Sequence, residues 1–542
     1  MEEQIREHET AIIRLKRTRN SLLNVSKISP EILGEIFRWN AALRGEFGRL
    51  KRSHNFLLVC HQWFEVASST PELWSFWGNN LQDWTKRHLQ HPTAPLDFVF
   101  KGGPFNPTAI TLSDSLWNAL EDRATRDAIR RIHLNTDDPD ILNSILSPLV
   151  SHDRIRSSSV ESIIIRCDQP TEAPRVSDFL ARYRFPKLRH LELDKCSISS
   201  WDLITSKTSA LTSLTLDSQY LSGSIGSSQL LSILRSNQSL REISLSWCAI
   251  PDADEDDSGG ASSQVPLVHL RELDLAGGLQ NVFALLHQLD YPRDLDNLCL
   301  DLEGVTVEHG SEIIGPYLRD HLRRRTKSEN WLGLYLSSSS EWDGRFSVGD
   351  ANRTDFSAPE LAWMDTPVTI IISQFQERVP IDEVLLALLA CVPQEEITYC
   401  RTSSTSISTE VLSVQLPYLR VIHFDIPLRA AFPKSNLDQD GIFPYLQHIR
   451  IILDGGLIRR GDWRTLATFL EHLASSGNKL NTLEVVGFGD VGPAVESRIR
   501  RVVREVRVIS DGDYDMDDDY STNDDRDTDD DHDTGDNHDT DD

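Results

Sequence analysis

Several kinds of feature are missing from this chain of 542 residues, and each absence makes one class of protein unlikely. The longest strongly apolar run, residues 384–392, has nine residues, whereas a membrane-spanning helix needs about 20. The seven cysteines are odd in number and include no Cys-x-x-Cys pair, so neither a disulfide scaffold nor a zinc site is expected. The start, MEEQIREHET, is acidic and lacks the apolar core of a secretory signal. We therefore expect a cytoplasmic or nuclear protein without membrane contact.

Positive charge is also scarce, with 55 Lys and Arg against 83 Asp and Glu and a formal net charge of −28. Residues 511–542 contain 17 Asp and one Arg, so the C-terminal tail carries more than half of the excess. Nucleic-acid binding needs clustered cations, and no nucleic acid is expected as a partner. Because the tail is almost devoid of apolar residues and its charges repel one another, we predict that residues 511–542 are disordered.

The N-terminal segment, residues 1–24, is predicted to form a leader helix, since no Gly or Pro interrupts it. Ile5, Ile12 and Leu15 recur at near-heptad spacing with charges between them. One interpretation is a helix that packs on the next domain. The alternative is a dimerising coiled coil, for which at most three imperfect heptads are present.

Two short apolar helices are predicted next, within residues 25–80. The first follows Ser29, a good N-cap, and begins at Pro30, whose missing N–H costs nothing at that position. The second starts near Phe56 and is broken by Pro71. Between them lies a long polar segment, residues 41–55.

A different pattern fills residues 93–510. It is a six-residue motif with apolar residues at positions i, i+3 and i+5. Eight clear copies are LRHLEL, LTSLTL, LREISL, LRELDL, LDNLCL, LRVIHF, LQHIRI and LNTLEV, and weaker ones are IRRIHL, VESIII and WLGLYL. Seven copies, two of them weaker ones, begin before residue 300. Their first residues are separated by 31, 28, 23, 29, 30 and 25 residues. The motif and its period resemble those of leucine-rich repeats, in which each copy gives a short strand and neighbours stack to bury a shared core.

Several segments interrupt the repeats. Residues 251–264 read as an acidic insert, residues 337–360 as a loop, and the faint stretch between residues 300 and 419 has room for about four degenerate repeats. Extended copies end at Cys196 and Cys248, the position at which such repeats turn the chain inward. The fold class predicted is α/β: an N-terminal all-α unit, a solenoid of parallel strands and helices, and a disordered acidic tail. The competing interpretation is an ordinary α/β domain with Leu-rich strands.

The segments SKISPEILGEIFRWN and LLVCHQWFEVASSTPELW resemble the F-box, with a leader helix and a TPELW ending similar to those of fungal F-box proteins. The resemblance covers about 50 residues, and the segment 41–55 is long for this family. It implies a substrate-recognition subunit of an SCF-type cullin–RING ubiquitin ligase that binds the Skp adaptor through its F-box and an unknown target protein through its repeats. It also implies that the chain is not an enzyme and needs no cofactor or metal. The residues expected to contact the adaptor are Pro30, Ile32, Leu33, Ile36, Phe37, Val59, Cys60, Trp63, Leu73 and Trp74.

Two alternatives are kept beside this hypothesis. One is a non-ligase repeat scaffold whose F-box-like start is a cap for the array. The other is a nucleotide-dependent enzyme, because GFGDVG at residues 487–492 matches Gly-x-Gly-x-x-Gly between a strand and a predicted helix. The sequence favours a simple glycine turn there, since a dinucleotide site needs a sheet with a switch point.

Overall fold

The computed structural model describes residues 2–22, 27–43, 59–70, 76–78, 96–101, 128–136, 138–150, 159–167, 176–182, 184–196, 201, 204, 208–218, 225–247, 250, 264–292, 295–325, 332–338, 343–350, 368–373, 381–403, 409–425, 432, 443–452, 460–486 and 492–509. The predicted tail and nearly all of the predicted acidic insert lie outside these ranges.

Helices occur at the N-terminus and between strands. They are α1 (Glu2–Ser21), α2 (Pro30–Leu43), α3 (His61–Ser69), α4 (Pro139–Val150), α5 (Val176–Arg182), α6 (Ser227–Ser236), α7 (Leu279–Gln288), α8 (Val307–His309), α9 (Gly315–Arg325), α10 (Ile381–Leu389), α11 (Thr409–Gln415), α12 (Arg460–Ser475) and α13 (Pro493–Val502). A π-helical turn (Gly310–Ile314) joins α8 to α9 without a break.

The strands are β1 (Phe76–Gly78), β2 (Leu96–Lys101), β3 (Ile129–Thr136), β4 (Ser162–Cys167), β5 (His190–Asp194), β6 (Ser213–Ser218), β7 (Glu242–Trp247), β8 (Val265–Pro266), β9 (Glu272–Gly278), β10 (Leu289–Asp290), β11 (Asn297–Glu303), β12 (Leu332–Ser338), β13 (Asp343–Asp350), β14 (Val368–Ser373), β15 (Ile397–Thr402), β16 (Val421–Phe424), β17 (His448–Ile452), β18 (Leu480–Val486) and β19 (Val503–Ile509).

Seventeen strands of the described chain join in one large, mostly parallel sheet. Strands β1 to β7, β9 and β11 pair in chain order and in parallel, and β15 to β19 do the same. A parallel connection needs a crossover, which the helices between the strands supply. The predicted α/β class with parallel strands and helices is confirmed at this level.

The faint stretch between residues 300 and 419 departs from that order. Strand β14 pairs with β11, β13 runs antiparallel to both β14 and β12, and β12 pairs with β15. The chain thus crosses this part of the sheet backwards. The expectation that about four repeats follow one another there is wrong, because the strands do not pair in chain order. The predicted loop at residues 337–360 contains β13.

In all eight clear copies of the motif, the last four residues lie on a strand. In LRHLEL the apolar residues Leu188, Leu191 and Leu193 are buried, while the residues between them are half-buried or exposed. Strand pairing sets Leu191 beside Leu214 and Leu214 beside Ile243, so the same motif position stacks from strand to strand. These side chains share one continuous core with the helices, for example with Leu230 and Leu234 of α6.

The turn that follows a strand is visible at Cys196. Its thiol lies 3.2 Å from the Asp194 carbonyl oxygen and 3.5 Å from that of Ile165, and burial raises its pKa. Lys195 just before it has φ 53°, and Trp247, which precedes Cys248, has φ 54°. A left-handed residue redirects the chain sharply after each strand. The inward turn predicted at this motif position is thus observed at Cys196, whereas Cys248 lies outside the described residues.

Candidate interaction surfaces

A small two-helix unit is formed by α2 and α3. The Ser29 hydroxyl accepts a hydrogen bond from the Ile32 N–H at 3.4 Å, which confirms the predicted N-cap. The second helix differs from the expectation: Cys60 has an extended backbone (φ −161°, ψ 171°), so α3 begins at His61 and the helix predicted from Phe56 is interrupted.

Among the described residues, the core of this unit consists of four buried apolar side chains. Leu33 and Phe37 from α2 pack with Val66 and Ala67 from α3, and the Trp63 ring meets that of Phe37 edge-on, with centroids 5.1 Å apart. Burying one large apolar side chain contributes about 1.5–3 kcal/mol, whereas ordering the backbone costs about 1–2 kcal/mol per residue. The described core is too small to stabilise two helices by itself, so further packing has to contribute to the stability of the unit.

A group of exposed apolar side chains lies on the same two helices and two residues before α3. It consists of Ile32, Ile36, Trp39, Val59 and Phe64, whose exposed fractions are 58%, 43%, 66%, 48% and 39%. Surface groups of large apolar side chains on a folded protein mark interaction sites. We refer to these five residues as the apolar face.

The structure separates the residues predicted to contact the adaptor. Ile32, Ile36 and Val59 lie on the apolar face, Pro30 is exposed, and Cys60 and Trp63 are half-buried. Leu33 and Phe37 are instead completely buried in the core. Two further predicted residues, Leu73 and Trp74, lie outside the described residues.

Sequence reasoning missed two members of the apolar face, Trp39 and Phe64. Trp39 continues the line Ile32, Ile36 at the i, i+4, i+7 spacing of one helical stripe. That spacing identifies Trp39 from sequence. Phe64 stands beside Trp63 in the chain, and only the packing of Trp63 on Phe37 shows that Phe64 points outward.

A second surface is the side of the sheet opposite the Leu-rich core, which we call the polar face. Strands β6, β7, β9 and β11 contribute carboxylates to it and, within these four strands, no Lys or Arg. The carboxylates belong to Asp217, Glu242, Glu272, Asp274, Asp301 and Glu303. Burial and the neighbouring carboxylates of Asp301 and Asp217 raise the pKa of Asp274, and burial and Glu242 raise that of Glu272. This part of the polar face is therefore rich in carboxylates, two of which have raised pKa values.

The polar face has a different character at β15 to β18, where oppositely charged groups are paired. Arg401 Nε donates to Asp425 Oδ2 at 2.5 Å, and Asp425 Oδ1 lies 3.1 Å from Nε2 of His423. Tyr399 Oη lies 3.1 Å from Nδ1 of the same His423. Burial lowers the pKa of His423, and burial opposes ionisation of Asp425 but is outweighed by His423 and Arg401, which lower its pKa. The network therefore holds a neutral imidazole beside a charged pair.

Another ion pair, on β4 and β5, gives a testable contrast with the acidic strands. Arg166 Nε lies 2.5 Å from Glu192 Oε1, and His190 Nε2 lies 3.6 Å from Oε2. Burial disfavours the charged form of Glu192, but hydrogen bonds from His190 and Arg166 outweigh it and lower the pKa to about 2. A carboxylate with a lowered pKa stabilises the fold above its unfolded pKa, and this contribution disappears as the pH falls toward 2.

We expect Glu192→Gln to lower the free energy of unfolding at pH 7 by about 1–2 kcal/mol, a value reduced for solvent screening of the pair. Asp274→Asn should have the opposite effect. Its raised pKa means that the charged form is disfavoured in the folded chain, and the amide oxygen still accepts from Ser244, whose Oγ lies 3.2 Å from Asp274 Oδ2. Urea unfolding at pH 7 and pH 4 measures both, and the differences from wild type should shrink at pH 4. If both variants changed the free energy of unfolding at pH 7 in the same direction, this account would be contradicted.

The Gly-x-Gly-x-x-Gly motif falls largely outside the described residues, of which Gly492 precedes α13. On either side, β18 and β19 pair in parallel and adjoin in chain order. The helix ends at Val502 and the strand begins at Val503. The strand order around β18 has no reversal in the described sheet, so the switch point that a dinucleotide site uses is not formed there.

Within the described ranges, no three His, Cys, Asp or Glu side chains are grouped so that they could hold a metal ion. None of the described helices has both the length and the apolar character that crossing a bilayer requires. Comparison of the chain with models of known protein families found no match. Comparison with curated proteins also found none.

Proposed function

We propose that this chain is a substrate-recognition subunit of an SCF-type cullin–RING ubiquitin ligase and has no active site of its own. In this proposal the α2–α3 unit is an F-box that binds the Skp adaptor. The observation that carries the proposal is the apolar face: five large side chains stay exposed beside a core of four. An adaptor that covers them would supply the burial that the two helices lack.

The sheet and its helices form, in the same proposal, a leucine-rich repeat solenoid that binds a target protein. Support comes from the chain-order pairing of β2 to β7 and of β15 to β19, and from the stacking of equivalent motif residues. In such arrays each repeat stabilises its neighbours, and the surface that remains available spans many strands. The polar face is the surface that we assign to the target.

Ubiquitin transfer would then take place on other subunits of the ligase. The role of this chain is to hold a target near the ubiquitin-loaded enzyme, which raises the effective concentration of the reacting groups. Its compartment would be the cytoplasm or the nucleus, where thiols stay reduced, in keeping with the free state of its described cysteines.

The test is co-expression of the full chain with the Skp adaptor of its organism, followed by gel filtration. A chain that lacks residues 27–70 serves as the comparison, because this deletion removes α2 and α3 but keeps β1, which pairs with β2. We expect a stoichiometric complex that the deletion abolishes. A complex that survives the deletion, or no complex with the full chain, would refute the assignment.

A second candidate is a repeat scaffold whose N-terminal segment is only a cap. It is favoured by β1, whose residues lie in the predicted F-box range yet pair with β2 and extend the sheet. The two candidates differ in what the deletion does to stability. Removal of a cap should lower the unfolding temperature of the sheet, whereas removal of an adaptor-binding unit should leave it unchanged.

A further inference from the structure

The helix α1 presents large apolar side chains that are exposed in the described part of the chain. Ile5, Ile12, Leu15 and Leu22 are separated by seven, three and seven residues, and their exposed fractions are 52%, 50%, 70% and 76%. Every described side chain from residue 3 to residue 19 is exposed. This spacing places the four residues in one line along the helix, with Ile5 and Ile12 at a positions and Leu15 and Leu22 at d positions of a heptad repeat.

An exposed helix of 20 residues is marginal on its own in water. Its amphipathic face needs a partner, and the charge distribution of α1 indicates which one. Residues 2–10 contain four Glu and one Arg, whereas residues 11–22 contain four cations and no carboxylate. The helix is therefore acidic in its first half and basic in its second half.

We propose that α1 pairs with α1 of a second copy of this chain in an antiparallel coiled coil. In this arrangement Ile5 packs against Leu22 of the second copy and Ile12 packs against its Leu15, and each contact occurs twice by symmetry. The remaining a and d positions place His8 of one copy opposite Arg19 of the other. The acidic half of each helix faces the basic half of the other.

The flanking positions agree with the same orientation. In antiparallel pairs, e positions face e positions, which brings Glu9 of one copy beside Lys16 of the other. A parallel pair would instead place Arg19 against Arg19 in the seam and would align the two acidic halves. Like charges at these positions oppose association, so the charges select the antiparallel form.

Pairing of the α1 helices would also keep the α2–α3 units of the two copies apart. A helix of 20 residues is about 30 Å long, and in an antiparallel pair the two C-terminal ends point in opposite directions. Each copy then continues into its own α2 at a different end. The inference concerns only α1 and does not depend on whether the α2–α3 unit binds an adaptor.

Sedimentation velocity of the full chain at increasing concentration tests the association. We expect the mass to rise from 61.4 kDa toward twice that value. Ile12→Asp combined with Leu15→Asp should raise the dissociation constant at least about 100-fold, since each helix would bury carboxylates in the seam. Val414→Asp is the matched control, because Val414 is an equally exposed apolar residue on α11. A wild type that stays monomeric, or a double variant that associates like wild type, would overturn the proposal.

Charge reversal tests the orientation. Glu9→Lys alone and Lys16→Glu alone should each weaken self-association, because each makes the facing charges alike in the antiparallel pair. A mixture of the two variants should associate like wild type, and so should a chain that carries both substitutions. A mixture that associates no better than its components would exclude the antiparallel pair. All these variants leave the apolar face intact, so adaptor binding in the same samples reports on the proposed function separately.

Discussion

Replacing Ile32 and Ile36 together by aspartate is expected to abolish binding of the Skp adaptor and to leave the chain folded. Both side chains are exposed on α2, with exposed fractions of 58% and 43%, so the substitutions remove no packing from the core. Surface substitutions of this kind change the free energy of unfolding by about 0.5 kcal/mol or less. In a complex, however, each would bury an unpaired carboxylate.

The expected loss of affinity is at least about 100-fold, since central interface residues contribute about 2–4 kcal/mol each. Isothermal titration of the purified chain with the adaptor measures it, and circular dichroism of the same samples reports on folding. Val414→Asp again supplies a control, because it introduces a carboxylate at one exposed apolar position away from α2. Wild-type affinity in the double variant would place the adaptor elsewhere or remove it as a partner.

The neighbouring residue Phe37 should behave differently. Its side chain is completely buried against Trp63, so Phe37→Ala is expected to destabilise the α2–α3 unit by about 3–5 kcal/mol. Binding would then fall together with the helical signal, whereas in the Ile32, Ile36 variant it falls alone. This difference separates residues that contact the adaptor from those that hold the unit together.

Gly315→Ala is expected to be the most destabilising small substitution in the sheet-bearing part of the chain, at about 3 kcal/mol or more. A Cβ atom on Gly315 would overlap Cys391 Sγ and would stand 3.0 Å from both Cys391 Cβ and the Gly310 carbonyl oxygen. Cys391 is buried and its side chain is too short to move aside, so backbone has to shift. Urea unfolding at neutral pH measures the loss.

The π-helical turn explains why Gly310 and Gly315 both lie close to α10 or to Cys391 just after it. Residues five apart point about 140° away from each other around an α-helix, at about 100° per residue. The wider π turn reduces that angle and brings Gly310 and Gly315 toward α10 together. A Cβ on Gly310 would lie 3.4 Å from Val384 Cγ1, which confirms that this glycine also faces α10.

Gly34→Ala is the control for the helical glycine substitution. A Cβ there would have Thr70 Oγ1 as its nearest neighbour at 3.5 Å, an ordinary contact, so a gain of about 0.5–1 kcal/mol is expected in α2. Cys391→Ala should also restore part of the stability lost in Gly315→Ala, because it removes the sulfur. Additive losses in the double variant would show that the clash with Cys391 is not the cause.

The sequence by itself determined the local elements. An apolar residue at every second position produces a strand with one buried side, and LRHLEL and its relatives all became such strands. Ser29 and Pro30 likewise determined where α2 begins, because a cap acts on the helix that directly follows it. The exposed apolar line and the two charged halves of α1 are also readable from the sequence, since they depend only on helical spacing.

The tertiary structure decided which of several equivalent possibilities is realised. Ile32 and Leu33 are equally apolar neighbours, and only the position of α3 buries Leu33 and leaves Ile32 exposed. The reversed order of β12, β13 and β14 depends on pairing between distant strands, which no local pattern encodes. The contact of Gly315 with Cys391 joins residues far apart in the chain, and the network of Arg401, His423 and Asp425 requires two strands in register. Local periodicity fixes what each segment becomes, and non-local packing fixes its neighbours, so the candidate interaction surfaces become visible only once the chain is folded.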